Sequence, residues 1–131
     1  METPRSYALR LLKTKNYYIK EMYDKLNNKY DKNTTNKVIK DLIKNDYLND
    51  KKLVYLKMNY LINEKKYGKN YIIDYFTNKN ISYNLITYIL DNFNNTIFLN
   101  NKSEIIDLLL KKGKDKKYIS SYLIRKGYDI E

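Results

Sequence analysis

The stretch Tyr71-Ile72-Ile73-Asp74-Tyr75-Phe76 decides the fold. Its aromatic and aliphatic positions Tyr71, Ile72, Tyr75 and Phe76 return 47 residues later as Tyr118, Ile119, Tyr122 and Leu123. Spacing of i, i+1, i+4, i+5 places four side chains on one face of a helix. A second quartet, Val38, Ile39, Leu42 and Ile43, has the same spacing, with Lys40, Asp41 and Lys44 on the opposite face. It recurs at the same offset of 47 as Leu85, Ile86, Ile89 and Leu90. Two independent segments sharing one offset identify an internal repeat. A period of this length at helical spacing implies stacked helical units, each burying its apolar face against a neighbour. Alternation of period two never extends beyond a few residues. The expected fold is all-α: an elongated, curved array of tandem three-helix repeats, two complete and a third lacking its last helix.

Working outward, copy one fits at a different offset. Met22 and Leu26 match Ile72 and Phe76 at 50 rather than 47, which predicts a longer loop at residues 27–36. The expected repeats are residues 1–48, 49–97 and 98–131, with helices near 5–13, 17–28, 35–45, 50–66, 69–78, 82–92, 102–112 and 116–126. Punctuation agrees: Asp50, Ser82 and Asp115 stand where helices begin and can cap orphan N–H groups. Gly68, Gly113 and Gly127 follow basic helix ends, where a left-handed residue is wanted. The least regular stretch, residues 91–101, reads as a link between copies, with Ile97, Phe98 and Leu99 tucked against the stack. At the repeat offset the first core residue of a ninth helix would fall at 132, one place past the last residue.

The 131 residues suit a single domain or a short repeat array. Cysteine, histidine and tryptophan are absent. That excludes thiol nucleophiles, Cys/His zinc sites and imidazole acid/base chemistry. No uncharged stretch approaches the ~18 apolar residues that span a bilayer. The first residues lead into no signal-like apolar run. A soluble, cytoplasmic protein is expected. Abundant Lys, Asn, Tyr and Ile against one Ala, three Gly, one Pro and three Arg is the signature of AT-rich codons. Such drift explains lysine over arginine, but 26 basic against 15 acidic residues still leave a net charge of +11. A balance this positive favours polyanionic partners: nucleic acid, a nucleoprotein or an anionic membrane.

Four motifs in order along nearly the whole chain resemble the RecX family of recombination regulators. Ala8-Leu9 through Leu11-Leu12, then Glu21-Met22 and Lys25-Leu26, resemble the family's A-L-x-L-L and E-L-x-x-K-L. Tyr47-Leu48-Asn49-Asp50 with Leu53-Val54 is similar to G-Y-L-x-D-x-x-F-A. Gly68, Ile72, Phe76 and Lys79-Asn80-Ile81 resemble G-x-x-x-I-x-x-x-L-x-x-K-G-I. Lys112-Gly113-Lys114-Asp115, Tyr122-Leu123 and Arg125-Lys126-Gly127-Tyr128 supply the fourth. Asn45-Asp46, Leu53 and Asn80 depart from the pattern, two of them at glycine positions. The resemblance implies tandem three-helix repeats and a partner, the RecA recombinase filament, in whose groove the protein lodges. It further implies restraint of ATP hydrolysis and strand exchange in recombination, DNA repair and the SOS response. Direct binding of single- or double-stranded DNA would be secondary. No cofactor and no membrane are expected, and a monomer is.

Candidate binding residues are the lysine clusters Lys65, Lys66, Lys69 and Lys111, Lys112, Lys114, Lys116, Lys117, which recur at equivalent places in copies two and three. Cations in a last helical turn also complement the helix dipole, so Lys65, Lys66, Lys111 and Lys112 admit either reading. Lys114, Lys116 and Lys117 lie at a helix start, where the dipole disfavours them, and point to phosphate contacts. Arg125 with Lys126 on one polar face, and Arg10 with Lys13 and Lys15, complete the set, arginine's planar fork suiting phosphate or carboxylate. Of sixteen tyrosines, about three-quarters are expected at core or half-buried positions, as Tyr75 and Tyr122 are, with Tyr17, Tyr18 and Tyr67 the surface candidates. The carboxylates Asp46/Asp50 and Asp24/Glu21 read as a cap and an i,i+4 pair with Lys25 rather than acid/base or metal groups. No phosphate loop, metal cluster or nucleophile elbow exists, and a non-enzyme is expected. The rival reading is a sequence-specific helix-turn-helix protein, and a third is a helical interaction scaffold.

Overall fold

The computed structural model describes residues 2–130. Among them are eight helices and no strand: α1 (Pro4–Leu12), α2 (Ile19–Asn27), α3 (Lys32–Lys44), α4 (Asp50–Asn63), α5 (Lys69–Asn78), α6 (Tyr83–Leu90), α7 (Asn95–Lys111) and α8 (Lys116–Arg125). The all-α expectation holds, and α5 and α8 fall in register at the 47-residue offset. The chain forms two compact units, one up to Leu53 and the other from Val54, divided within α4.

In the first unit Ala8 of α1, Met22 and Leu26 of α2, and Val38, Ile39 and Leu42 of α3 make one core with Tyr17 and Leu48. Each fully buried large aliphatic contributes about 1.5–3 kcal/mol. Tyr17 is thus a core residue, not a surface one: it precedes α2 in the turn that carries the chain across this core. The three extra residues of copy one lie in a helix rather than a loop. Only residues 28–31 separate α2 from α3, but α3 has 13 residues where α6 has 8. Three residues are close to one helical turn, so the insertion keeps the apolar face of α3 directed inward. Asp31 begins the helix, its carboxylate accepting from Thr34 N at 2.7 Å.

The cap at α4 also differs from expectation. Asn49 accepts from Lys52 N at 3.1 Å, whereas Asp50, already helical, accepts from Ile19 N at 2.8 Å. Asp50 therefore satisfies an orphan donor of α2. Glu21 pairs with Lys15 and Tyr18 N rather than Lys25, and the i,i+4 pair of α2 is Lys20–Asp24.

In the second unit Val54, Met58, Leu61 and Ile62 of α4, Ile72 and Phe76 of α5, and Ile86, Ile89 and Leu90 of α6 are buried. Residues 95–101, expected in a link, form the first turns of α7, capped by Asn94, whose side chain accepts from Thr96 N. Phe98 is buried as expected and Ile97 half-buried, but Leu99 is 67% exposed. Buried Asn101 explains why this polar stretch is helical: its Nδ2 donates to Ile62 O at 2.9 Å, a long-range bond that replaces water.

Four helix ends share one geometry. Asp46, Asn80, Gly113 and Gly127 take positive φ, and the next amide donates five residues back, as in Tyr47 N to Leu42 O and Ile81 N to Phe76 O. Asp46 and Asn80, standing at glycine positions of the sequence pattern, keep that conformation because short polar side chains tolerate it. Gly68 does not: it is the residue before α5 with φ −83, and Lys66 takes the left-handed turn instead, at φ 57.

Candidate functional site

The turn between α7 and α8 gathers the strongest charge. Lys112 closes α7, Gly113 turns the chain, and Lys114 N donates to Leu109 O at 3.0 Å. Asp115 then caps α8, accepting from Tyr118 N at 2.8 Å. That bond commits the only carboxylate in the run to the backbone. Lys111, Lys112, Lys114, Lys116 and Lys117 are all exposed. None pairs with a carboxylate among the described residues, although Lys114 lies 4.7 Å from the Tyr118 ring centroid. The helix divides the group: Lys117 lines a shallow hollow with Arg125, Tyr118 and Ser121, whereas Lys116 lines another with Lys102. Two basic faces flank the start of α8.

The other candidates are engaged to differing degrees. Lys66 pairs with Glu104 at 2.8 Å, Lys69 bonds Asn95, and Lys126 donates to Lys65 O at 2.8 Å while lying 4.3 Å from the Tyr67 ring centroid. Lys65 lies 5.9 Å from the Tyr60 ring and Arg125 the same distance from Tyr122. In the first unit Arg10 is held by Glu2 at 2.8 Å and Lys15 by Glu21 at 3.1 Å, leaving Lys13 exposed. The Glu2 contact raises the Arg10 guanidinium further above its ordinary value, and the Arg10 hydrogen bond lowers the Glu2 carboxyl. Exposed pairs of this kind contribute little stability and are screened by salt.

Lys126 owes its position to a backbone seam. Gly68 N donates to Lys126 O at 2.7 Å, and Asn70 N to Gly127 O at 3.1 Å. Tyr128 Oη donates to Lys66 O at 2.6 Å. Burial pushes the Tyr128 phenol up to about 12, opposed by a hydrogen bond from Asn101. This seam fastens the end of α8 to the α4–α5 junction and so presents the α8 cations on a fixed base. Lys126 is thereby engaged in the fold itself, through its backbone carbonyl and its side chain.

Sequence reading missed an aromatic strip. Tyr67 and Tyr71 stack with centroids 3.6 Å apart and planes 4° apart, and Tyr75 follows at 6.4 Å. Lys57 and Lys79 lie 5.7 and 5.8 Å from the Tyr75 centroid. Spacing of four residues between these tyrosines was the available signal. Ten of the sixteen tyrosines are buried or half-buried, fewer than expected, and Tyr18 and Tyr67 are among the half-buried.

No protein-family model and no curated protein matches the chain. Among solved structures, RecX from Lactobacillus salivarius superposes with a TM-score of 0.84 at 21% identity, covering 96% of this chain and 86% of that one. The chain has the RecX fold. The superposition reaches this by geometry, independently of the four motifs that resemble the RecX family. The α7–α8 turn lies within the part of the chain this superposition covers, which is 96% of it. Among the described residues no three acidic groups converge as metal ligands, and no helix is long and apolar enough to cross a membrane.

Proposed function

We propose that this chain is a RecX-type regulator that lodges on a RecA–single-stranded-DNA filament and restrains its ATP hydrolysis and strand exchange. The RecX fold over 96% of the chain carries this reading. The unpaired cations Lys111, Lys112, Lys114, Lys116 and Lys117, with Arg125, support it, because a filament is a polyanion with a helical groove. Cations freed from internal carboxylates release counterions from phosphate without first breaking an ion pair. Arg10, Lys13, Lys15, Lys65, Lys66, Lys69 and Lys126 complete the proposed set of binding residues. Those already paired contribute less, since each contact exchanges one partner for another. The protein acts as a monomeric, cytoplasmic binding protein without cofactor, by occupying filament surface rather than by chemistry.

The helix-turn-helix alternative gains no support from α6. Its sequence from Tyr83 to Leu90 contains no cation, and the Thr87 hydroxyl is bonded to Tyr83 O at 3.0 Å. A reading helix needs free polar side chains for base edges and positive charge for phosphates. The test is RecA-catalysed ATP hydrolysis on circular single-stranded DNA with increasing amounts of this protein. The reading expects hydrolysis to fall as the protein approaches stoichiometry with RecA. An unchanged rate at equal concentrations rejects it.

A further inference from the structure

The outer face of α3 carries cations where its counterpart α6 carries none. At the 47-residue offset Lys37, Lys40 and Lys44 correspond to Asn84, Thr87 and Asp91. Both helices bury the opposite side, through Val38, Ile39 and Leu42 in α3 and Ile86, Ile89 and Leu90 in α6. Keeping that outer face in water therefore does not require lysine. Asn33, Lys37, Lys40 and Lys44 follow one another at i, i+4, i+7 and i+11, a single stripe along the helix turned away from its core. All four are exposed. None of the three ammonium groups has an ion pair, hydrogen bond or ring contact among the described residues. The carboxylates of α3 and its cap are committed elsewhere. Asp41 takes Arg5 at 2.6 Å and Asn45 Nδ2 at 2.9 Å, and Asp31 accepts from Thr34 N at 2.7 Å, with Lys37 adding only attraction at a distance. The helix also starts early. Tyr83, where α6 begins, is the counterpart of Asn36, so the first turn of α3 has no helical equivalent in the second repeat and adds exposed Lys32 and Asn33.

We propose that α3 docks in the major groove of duplex DNA, without need of a filament. The order of elements suits this: α2, a connection of residues 28–31, then α3, with Met22 and Leu26 sharing one core with Val38 and Leu42. A helix, a short turn and a second, exposed helix is the arrangement that places the second helix in the groove. The 13 residues of α3 make a rod about 20 Å long and about 10–12 Å across, and the major groove is about 12 Å wide. Chemistry selects the occupant. The Asn33 and Asn36 amides match the donor and acceptor of adenine, Lys37 and Lys40 match the two acceptors of guanine, and Lys32 and Lys44 at the ends reach phosphates. No residue of the stripe is aromatic, so it gives a single strand no ring on which to stack. None is apolar, so it lacks the anchors around which a protein partner would close.

Fluorescence anisotropy of a labelled DNA duplex of about two helical turns, titrated with the full chain, tests this. RecA is absent, so the outcome is independent of the filament reading. Saturable binding is expected, weakened about tenfold or more when Lys37→Gln, Lys40→Gln and Lys44→Gln are combined. Removing the same three charges at Lys114, Lys116 and Lys117 controls for net charge, and weakens duplex binding less. Far-UV circular dichroism of each variant checks that helix content is kept. Dimethyl sulfate reports the groove: guanine N7, in the major groove, is protected by the bound protein, whereas adenine N3, in the minor groove, is not. The proposal is overturned by absence of binding, by equal losses from the two triple variants, or by protection confined to adenine N3. It is also overturned if labelled oligo-dT binds more tightly than the duplex, or if poly-glutamate competes as well as unlabelled duplex, since the stripe then serves a single strand or an acidic protein.

Discussion

Substituting the two glycines of the seam, Gly68 and Gly127, and Gly113 outside it separates steric overlap from left-handed backbone strain, which sequence alone merges. A Cβ at Gly68 would lie 2.4 Å from Gly127 O, 2.6 Å from Gly127 C and 2.9 Å from Tyr128 N. These are main-chain atoms, which cannot swing aside as a side-chain tip can. Gly68 has φ −83, so alanine meets no backbone strain there and the whole cost of Gly68→Ala is overlap. Relief requires the end of α8 to leave the α4–α5 junction, breaking the bonds Gly68 N to Lys126 O and Asn70 N to Gly127 O. At about 0.5–1.5 kcal/mol net for each bond, with the Tyr128 hydroxyl bond also at risk, the loss is about 2–4 kcal/mol. Gly127→Ala adds left-handed strain, since φ is +96, to a Cβ only 2.4 Å from Tyr71 N, and falls at least as low. Gly113→Ala isolates strain: φ is +79, but nothing lies within 4 Å of the added Cβ. Its cost is about 1–2 kcal/mol. Urea unfolding followed by far-UV circular dichroism reads all three as midpoint shifts, with a slope of about 1–3 kcal/mol per molar. The order expected is Gly127→Ala lowest, then Gly68→Ala, then Gly113→Ala. A Gly68→Ala protein within about 0.5 kcal/mol of the parent would refute the seam, since that is the scatter of neutral surface substitutions.

Three further outcomes follow from the same structure. Charge reversal of Lys114, Lys116 and Lys117 does not lower the unfolding midpoint, because all three are exposed without a carboxylate partner among the described residues and acidic side chains suit a helix start. It weakens filament binding and flattens its salt dependence, the logarithmic slope falling by about 0.7–0.9 for each phosphate no longer neutralised, read by filament binding across a potassium chloride series. Asp50 is raised above its ordinary value chiefly by burial, opposed by the Ile19 N–H. A raised carboxyl binds protons more tightly folded than unfolded, so its contribution falls as pH rises from the ordinary aspartate range through the folded value. Asp50→Asn removes that slope from the difference between variant and parent while keeping the acceptor, and Asp50→Ala costs about 1 kcal/mol at neutral pH by orphaning Ile19 N. Parallel pH-dependent unfolding curves for Asp50→Asn and the parent would contradict this. Thr35, fully buried, has a hydroxyl with no hydrogen-bond partner among the described residues. Thr35→Val therefore raises stability by about 1 kcal/mol in urea unfolding, and a loss of that size would show the hydroxyl to be satisfied.

How far the sequence speaks is best seen at particular residues. The quartets at the 47-residue offset were legible because core burial is a periodic property, and α5 and α8 lie in that register. Ser82 and Asp115 were legible as caps because their bonds are local, to Leu85 N and Tyr118 N. What failed depended on distant partners. Residues 32–34, Lys32, Asn33 and Thr34, look like loop until α3 is seen to begin at Lys32 with Thr35 in its core, and the asparagines of α7 until Asn101 meets Ile62 O. Gly68 reads in sequence as the left-handed turn that Lys66 takes, because the need for glycine there comes from Gly127 across the seam. For the candidate site, composition gave the charge, but only coordinates distinguish Lys66, paired with Glu104, from Lys117, which has no carboxylate partner among the described residues.

The most direct measurement is an electron cryomicroscopy reconstruction of a RecA–single-stranded-DNA filament assembled with an excess of this protein. The account predicts continuous helical density in the filament groove into which the helices of this fold can be fitted, with the α7–α8 turn directed towards phosphate or an acidic RecA surface. A filament groove as empty as that of RecA alone, at concentrations saturating for the protein, would contradict it.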